Sequence, residues 1–248
     1  MQTIESVVRS ADFLDTQTLL PHLHGAEIIV VDDASPDLTA EIVAAHKEYG
    51  HRLRLHRNER NIGAAGSRNR GAALAQSKVV LFLDSDDEML PHHLFVCLAA
   101  LNEGPNLGFV RTSAILDPRI DPSWRIRINN TLPSTLAIRS DVFEFLEGFP
   151  EDAVFRTTGG EDVVFTEVSG RFFQSLMIPM ETILYRRSPG NALDRQMHRF
   201  STPFTGAIVP ETDAERELAN VLPMAINSRM DKLRVKVGKF SLSVPFKT

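Results

Sequence analysis

Two short apolar runs that stop abruptly in acids constrain this chain more than any other feature. Glu27-Ile28-Ile29-Val30-Val31 runs into Asp32-Asp33, and Val79-Val80-Leu81-Phe82-Leu83 runs into Asp84-Ser85-Asp86-Asp87. Runs this short and this rich in β-branched residues read as parallel strands covered on both faces. Helical patterns lie between them. Asp37-Leu38-Thr39 opens one that carries Ile42, Val43 and Ala45 to about Tyr49, where Gly50 stops it, and a second begins near Gly66 and carries Ala72, Ala73 and Leu74. The alternation predicts an α/β fold built on an open, mostly parallel sheet flanked by helices. Ligands of such sheets sit beyond the carboxyl ends of the strands, where both acidic clusters fall.

Further along, Pro91 precedes a helical pattern from His93 to Leu101, which Asn102-Glu103-Gly104-Pro105-Asn106 breaks. Gly108 to Asp152 mixes strand-like pieces with Pro118, Pro122 and Pro133, and Glu161-Asp162 follows Gly159-Gly160 to open an amphipathic stretch that Gly170 ends. After Leu193 the patterning loosens. A weak alternation from Arg229 to Val244 predicts a terminal hairpin or an arm packed on the body. The surplus of 32 Asp and Glu over 27 Lys and Arg argues against a dedicated nucleic-acid binder. The apolar runs fall well short of the ~20 residues that cross a bilayer. No basic-then-apolar leader opens the chain, and a single cysteine, Cys97, suits a reducing compartment. The expected location is cytoplasmic.

Each acidic cluster has a functional and a plain reading. Asp84-Ser85-Asp86-Asp87 places three carboxylates at a strand end, where they repel one another unless a cation or ligand sits among them. Hard oxygen ligands suit Mg²⁺ or Mn²⁺; the plain alternative is a solvated loop whose Asp86 or Asp87 caps the next helix. Asp32 or Asp33 can accept hydrogen bonds from a base or sugar, while Ser35 or Asp37 caps the helix at Leu38. Asn61-Ile62-Gly63-Ala64-Ala65-Gly66-Ser67-Arg68 offers small residues at a helix start, which favours an anion such as a phosphate. Its neighbourhood is rich in arginine (Arg52, Arg54, Arg57, Arg60, Arg68, Arg70), which suits a diphosphate or simply a solvated face. Gly-x-Gly-x-x-Gly is absent, against a dehydrogenase. Glu161-Asp162 favours the macrodipole of its own helix, or supplies a general base if it faces the acids.

Together these segments resemble glycosyltransferase family 2. The likeness rests on Val31-Asp32-Asp33-Ala34-Ser35-Pro36-Asp37, Asn61-x-Gly63 with Ser67-Arg68-Asn69-x-Gly71, Phe82-Leu83-Asp84-Ser85-Asp86-Asp87 with Pro91, and Glu161-Asp162. It extends through Leu132 to Phe143, Glu147-Gly148-Phe149 and the closing Tyr185-Arg186-Arg187-Ser188-Pro189-Gly190-Asn191. The resemblance implies a GT-A fold over residues 1–195, with a nucleotide-sugar half (1–107), an acceptor half (108–195) and a C-terminal extension (196–248). It implies that Asp33 with Asp32 contacts the base, that Arg68 holds the base or diphosphate, and that Asp84 contacts the ribose or a metal. Asp86 would ligate Mn²⁺ or Mg²⁺, and Asp162 would take the proton from the acceptor hydroxyl in a single inverting displacement. The partners so implied are a nucleotide sugar, UDP-linked first, and a saccharide or lipid-linked acceptor. A homodimer is open, as is peripheral contact with the inner face of the membrane through Arg229, Lys232, Arg234, Lys236 and Lys239, against a solvated face.

Two departures from the family pattern matter. The family opens with a strand like Val-Ser-Val-Ile-Ile-Pro-x-Tyr-Asn, which the residues before Glu27 lack. Either Ile4 to Val8 is a degenerate version of it, or Ile4 to Leu23 is mostly the first helix and a position in the sheet is left unpaired. Ser188 and Asn191 stand where His and Ser are common, so no third metal ligand is expected there; His198 reads as structural. Without Gln-x-x-Arg-Trp or membrane helices, transfer of a single sugar is expected. A silent GT-A module that binds a nucleotide sugar or a partner protein is the alternative, decided by that first strand. A sugar nucleotidyltransferase ranks below both, lacking an early Gly-rich loop with Lys or Arg.

Overall fold

The computed structural model describes residues 2–17, 25–46, 50, 52–118, 120, 122–186 and 213–247. The chain opens with helix α1 (Gln2–Asp15), not with a strand. Ile4, Ala11 and Leu14 are buried at helical spacing. Between them Ser6 and Ser10 face inward, where their hydroxyl oxygens accept the N–H groups of Met89 and Leu94. Ile4 to Val8 is therefore helix and not a degenerate strand, as the second reading of the amino terminus expects; residues 18–24, within its span, lie outside the described residues.

Strand β1 (Ile28–Asp32) pairs in parallel with β2 (Leu53–Arg57), with α2 (Thr39–Ala45) between them in sequence. Helix α3 (Gly63–Leu74) leads to β3 (Val79–Leu81). Then come β4 (Glu88–Met89), α4 (His93–Glu103), β5 (Leu107–Ile115) and α5 (Pro122–Thr131). A 3-10 turn (Pro133–Thr135) precedes β6 (Leu136–Arg139), α6 (Ser140–Phe145), α7 (Ala153–Thr158), α8 (Glu161–Phe172) and β7 (Gln174–Leu184). A long α9 (Asp213–Arg234) follows in the last described segment.

The α/β architecture is as expected, but its pairing is more mixed than the strand–helix alternation predicts. The larger sheet runs β3-β6-β5-β7-β4, with only β5 and β7 parallel. Strands β4 and β6 run antiparallel to every neighbour they pair with, and each is joined to those neighbours by long connections, which leave strand direction open where a short one would dictate it. β1 and β2 form a separate sheet. One side chain that ties it to the larger one is Glu27, whose Oε1 accepts the N–H groups of Gln76 and Ser77, just ahead of β3, at 2.5 and 3.0 Å.

The main core lies behind the strand ends. Phe82, Phe143, Phe149 and Phe165 stack there, with Phe149 and Phe165 only 4.5 Å apart between ring centres. The C-terminal segment is the arm, not the hairpin. Arg229 to Arg234 continue α9, and the turns after it bury Val244 in the same core as Leu233, because the apolar spacing there serves one helical face and then a coiling tail.

Three of the tail's five basic residues hold α9 to the body. Arg229 donates to the carbonyls of Leu146 and Gly148, and Lys232 and Lys236 pair with Glu147. Arg234 pairs with Asp231 at 3.1 Å. Most of the cluster offered for a membrane surface is thus engaged in contacts within the protein. Among the described residues no helix is long and apolar enough to cross a membrane.

Candidate functional site

The two acidic strand ends meet across α3 but are handled in opposite ways. After β1, Asp33 turns back on α3. One carboxylate oxygen accepts the N–H of Ile62 (2.8 Å) and the amide of Asn58 (2.9 Å), and the other accepts the N–H of Gly63 (2.8 Å). The helix start that its small residues offer to a phosphate is therefore filled by the chain's own carboxylate, the anion a helix N-terminus favours. Burial alone would raise the Asp33 carboxyl; the bonds from Ile62, Asn58, Gly63 and Ser67 outweigh it and hold it below the ordinary value.

Asp32 is buried. Its Oδ1 accepts the N–H of Ser35, and its Oδ2 lies 3.2 Å from Arg57 Nε in an ion pair without hydrogen-bond geometry. Asp37, not Ser35, organises the start of α2, by accepting the N–H and hydroxyl of Thr39.

The arginine-rich segment is mostly spent within the chain. Arg52 pairs with Asp12 and Asp15, Arg54 with Glu27, and Arg57 with Asp32. Local surplus in the sequence is thus not free charge in the fold, because acids distant in sequence are brought against it.

After β3 the acids have fewer donors. Asp84 is half-buried and Asp86 exposed, while Asp87 is fully buried. Asp87 accepts the Ser134 hydroxyl at 2.7 Å and the N–H of Arg186 at 3.2 Å. Desolvation, with the charges of Asp84 and Asp86, pushes its carboxyl up to about 7 against those bonds. Ser134 also accepts the N–H of Asp84, and Thr3 of α1 donates to the carbonyl of Ser85, so the acidic turn is fastened from two sides.

Arg68 joins this turn to α8. It donates to both oxygens of Asp84, at 2.7 and 2.9 Å, and to Glu161 at 3.2 Å, with its guanidinium carbon 5.5 Å from the centre of the Phe149 ring. Burial works against its charge, but Asp84 and Glu161 outweigh that and hold it above its ordinary value. The residue expected to hold a base or diphosphate thus pairs with Asp84 and Glu161.

Glycine geometry brings Glu161-Asp162 to this place. Gly159 and Gly160 have φ of +72° and +107°, and a Cβ on Gly160 would meet Leu218 and Leu222 of α9 at 3.3 Å. Only glycine turns the chain here without strain and leaves room for α9. Asp162 is half-buried, and its carboxylate accepts the N–H of Val163 at 2.8 Å. Desolvation and the neighbouring charge of Glu161 push it up to about 6, against the pull of the Val163 N–H, Arg68 and Arg111. A carboxyl in that range can take up a proton near neutral pH, as a general base must.

The sequence reading missed Arg111. It is 4% exposed in the middle of β5 and donates to the carbonyl of Leu132 (2.9 Å) and the hydroxyl of Thr166 (3.0 Å). Its signal was available: an arginine within Gly108-Phe109-Val110-Arg111-Thr112-Ser113-Ala114, a run otherwise suited to a strand with no wet face.

Among the described residues no group of three or more His, Cys, Asp or Glu forms a ready metal cage. The donor set nonetheless fits a hard divalent cation. Asp84 and Asp86 lie on one turn, and Mg²⁺ or Mn²⁺ takes one or two carboxylates and completes its shell with phosphate oxygens and water. Arg187 to Asn191 and His198 lie outside the described residues.

Comparison with known proteins follows the same lines. The Glycosyl transferase family 2 model matches residues 2–157. A glycosyltransferase of Haemophilus influenzae, itself uncharacterized, is 38% identical over 84 residues, which is 34% of this chain and 27% of that protein. The amylovoran biosynthesis glycosyltransferase AmsB of Erwinia amylovora is 37% identical over 86 residues, again 34% of this chain and 27% of that protein. These matches therefore span about a quarter of the length of the curated relatives. In fold, the chain resembles Staphylococcus aureus TarS 1-349 in complex with UDP (TM-score 0.61, 19% identity, 94% of this chain and 78% of that one). It also resembles the mannosyltransferase PcManGT of Pyrobaculum calidifontis in complex with GDP-Man and Mn²⁺ (TM-score 0.58, 20% identity, 96% and 72%).

Proposed function

The chain belongs to glycosyl transferase family 2 and has the GT-A fold, and we propose that it transfers one sugar from a nucleotide sugar to a hydroxyl acceptor, with inversion and with a divalent metal. The observation that carries this reading is the meeting of Glu161-Asp162 with the Asp84 turn through Arg68, three segments far apart in sequence. Asp162 stands as the base. As the acceptor oxygen attacks the anomeric carbon, its proton passes to an Asp162 oxygen. The bond from that carbon to the diphosphate oxygen breaks, and the nucleoside diphosphate leaves with the electron pair. Asp84 and Asp86 would hold Mn²⁺ or Mg²⁺, which offsets charge on the leaving diphosphate. Arg68, which neutralises Asp84 here, would face the diphosphate where the metal takes over that carboxylate.

The Asp32-Asp33 turn is assigned to the nucleoside end of the site, where Asp33 acts by fixing the start of α3. UDP is the first nucleotide to try, and TarS, which shares the fold, is known in complex with it. A saccharide or lipid-linked acceptor accords with AmsB, a relative named for amylovoran biosynthesis.

Calorimetric titration of UDP and GDP, with Mn²⁺ and again with EDTA, tests the donor side. One nucleotide should bind only with the metal, and Asp86→Ala should lose that binding while melting like the parent. Unchanged Mn²⁺-dependent binding in the variant overturns the metal assignment.

A second reading, a module that binds a nucleotide sugar without transferring it, is favoured by one observation. Residues 2–15 form a helix, and among the described residues no ladder joins β1 to β3. Donor binding in the parent with no turnover of the donor, whatever hydroxyl acceptor is supplied, would favour that reading over the first.

A further inference from the structure

Arg111 is a cation in a costly place. A buried charge is usually paired with a carboxylate in contact, because removing it from water is expensive. Here the guanidinium is surrounded by neutral acceptors: the Leu132 carbonyl at 2.9 Å, the Thr135 hydroxyl at 3.4 Å and the Thr166 hydroxyl at 3.0 Å. Its Nε–H is buried with no hydrogen-bond partner. Such a residue fits poorly as a simple strut, since an apolar side chain of similar volume would fill the space without the penalty.

What it faces explains its presence. Thr166 lies four residues after Asp162 on α8, one turn along the same face. The Thr166 hydroxyl in turn donates to the Asn130 carbonyl of α5, which fixes it as an acceptor for Arg111. The charged groups around Asp162 are Glu161 on its own helix, Arg68 from α3 and Arg111 from β5. Of the other elements packed on α8, α9 presents Leu218 and Leu222 to this turn and α5 meets the helix through the Asn130 carbonyl. Of the two cations, Arg68 is already shared between Asp84 and Glu161, whereas Arg111 has no carboxylate in contact among the described residues.

We propose that Arg111 is the positioning residue of Asp162: from β5 it anchors the first turns of α8 through Thr166 and holds the charge of the Asp162 carboxylate in place. This inference rests on the reading of Asp162 as the base, but its geometry does not. The attraction also runs in the sense that Arg111 favours the charged carboxylate, while burial presses the arginine itself down to about 10.

The test follows Asp162 directly, by carboxyl ¹³C NMR of aspartate-labelled protein across pH, with Asp162→Asn used to assign its signal. Arg111→Gln should raise the Asp162 midpoint by about one pH unit, the usual order for losing a close opposite charge. Arg111→Lys, which keeps the charge, should return most of it. Thr166→Val, which leaves the charge but unties it from α8, should move the midpoint the same way by less, and it decides the matter if Arg111→Gln does not fold. An unchanged midpoint in folded Arg111→Gln, or failing that in Thr166→Val, overturns the proposal. The two readings fail separately. Donor turnover unaffected by Asp162→Asn removes the base while leaving the coupling intact, and a missing coupling beside an inactive Asp162→Asn removes only Arg111.

Discussion

The acids that end β1 and those gathered around β3 and α8 look alike in sequence and behave as opposites in the fold. Asp33 is surrounded by donors (Ile62, Gly63, Asn58) and sits below its ordinary carboxyl value. Asp87 and Asp162 are short of donors, crowded by other acids, and pushed up to about 7 and about 6. The first cluster closes a helix; the second stores unfavourable charge at the mouth of the site. A carboxylate whose lone pairs are filled by the backbone is part of the scaffold. One kept desolvated beside its own kind is a candidate for chemistry, since perturbed carboxyls cluster at functional sites.

The largest expected effect is at Asp162. Asp162→Asn should lose transfer by 10²-fold or more, the usual scale for a general base, while keeping nucleotide affinity. In the parent, transfer should fall as pH drops through about 6, as Asp162 gains its proton. The same variant should be more stable at alkaline pH. A carboxyl raised in the folded state favours folding when protonated, so its stabilising contribution is present at low pH and lost as pH rises through about 6. Asp162→Asn should therefore melt about 2–4 °C above the parent at pH 8, the effect of ~1 kcal/mol in a chain this long, and match it near pH 4. Equal melting at both pH values would break the contrast between the clusters.

Asp33 should show the reverse signs. Asp33→Ala should cost about 1 kcal/mol, as loss of a helix cap does. Its contribution, being that of a lowered carboxyl, is present above the unfolded value of 3.8 and lost as pH falls through the folded one. The penalty should therefore shrink in acid, in denaturant melts at pH 7 and pH 3. A variant that melted like the parent at pH 7 would show that the α3 start needs no anion.

The smallest effect sharpens the contrast from outside the site. Glu147 also gathers two cations, Lys232 and Lys236, but at the surface. Glu147→Gln should cost ~0.2–1 kcal/mol and fade with added salt. A larger, salt-resistant loss would mean that the clamp on α9 bears more of the fold than its exposure suggests.

Much of this was legible in the sequence because it is local. The apolar runs into Asp32 and Asp84, the break at Gly104-Pro105 and the Gly159-Gly160 turn each announce an element within a few residues. The tail was misjudged where local pattern is ambiguous. Leu233, Val235 and Val237 alternate as a strand would, yet Leu233 closes a helix and Val235 and Val237 fall in the exposed turns after it. The arginines were misjudged for another reason. Nothing near Arg54 or Arg57 tells that Glu27 and Asp32 will be folded against them.

By itself, then, the sequence determined where the carboxylates stand: at strand ends and a helix start, because apolar periodicity fixes which segments are buried and acids mark where they emerge. Only the tertiary structure decided how each carboxylate is held and which way its proton affinity moves. That depends on which donors and charges converge on it, and those come from far along the chain: Asn58, Ile62 and Gly63 to Asp33, Ser134 to Asp87, and Arg68 to Glu161 across 93 positions. Proton affinity sums over everything nearby in space, whatever its distance in sequence. Two clusters spelled alike can therefore become a scaffold and a site.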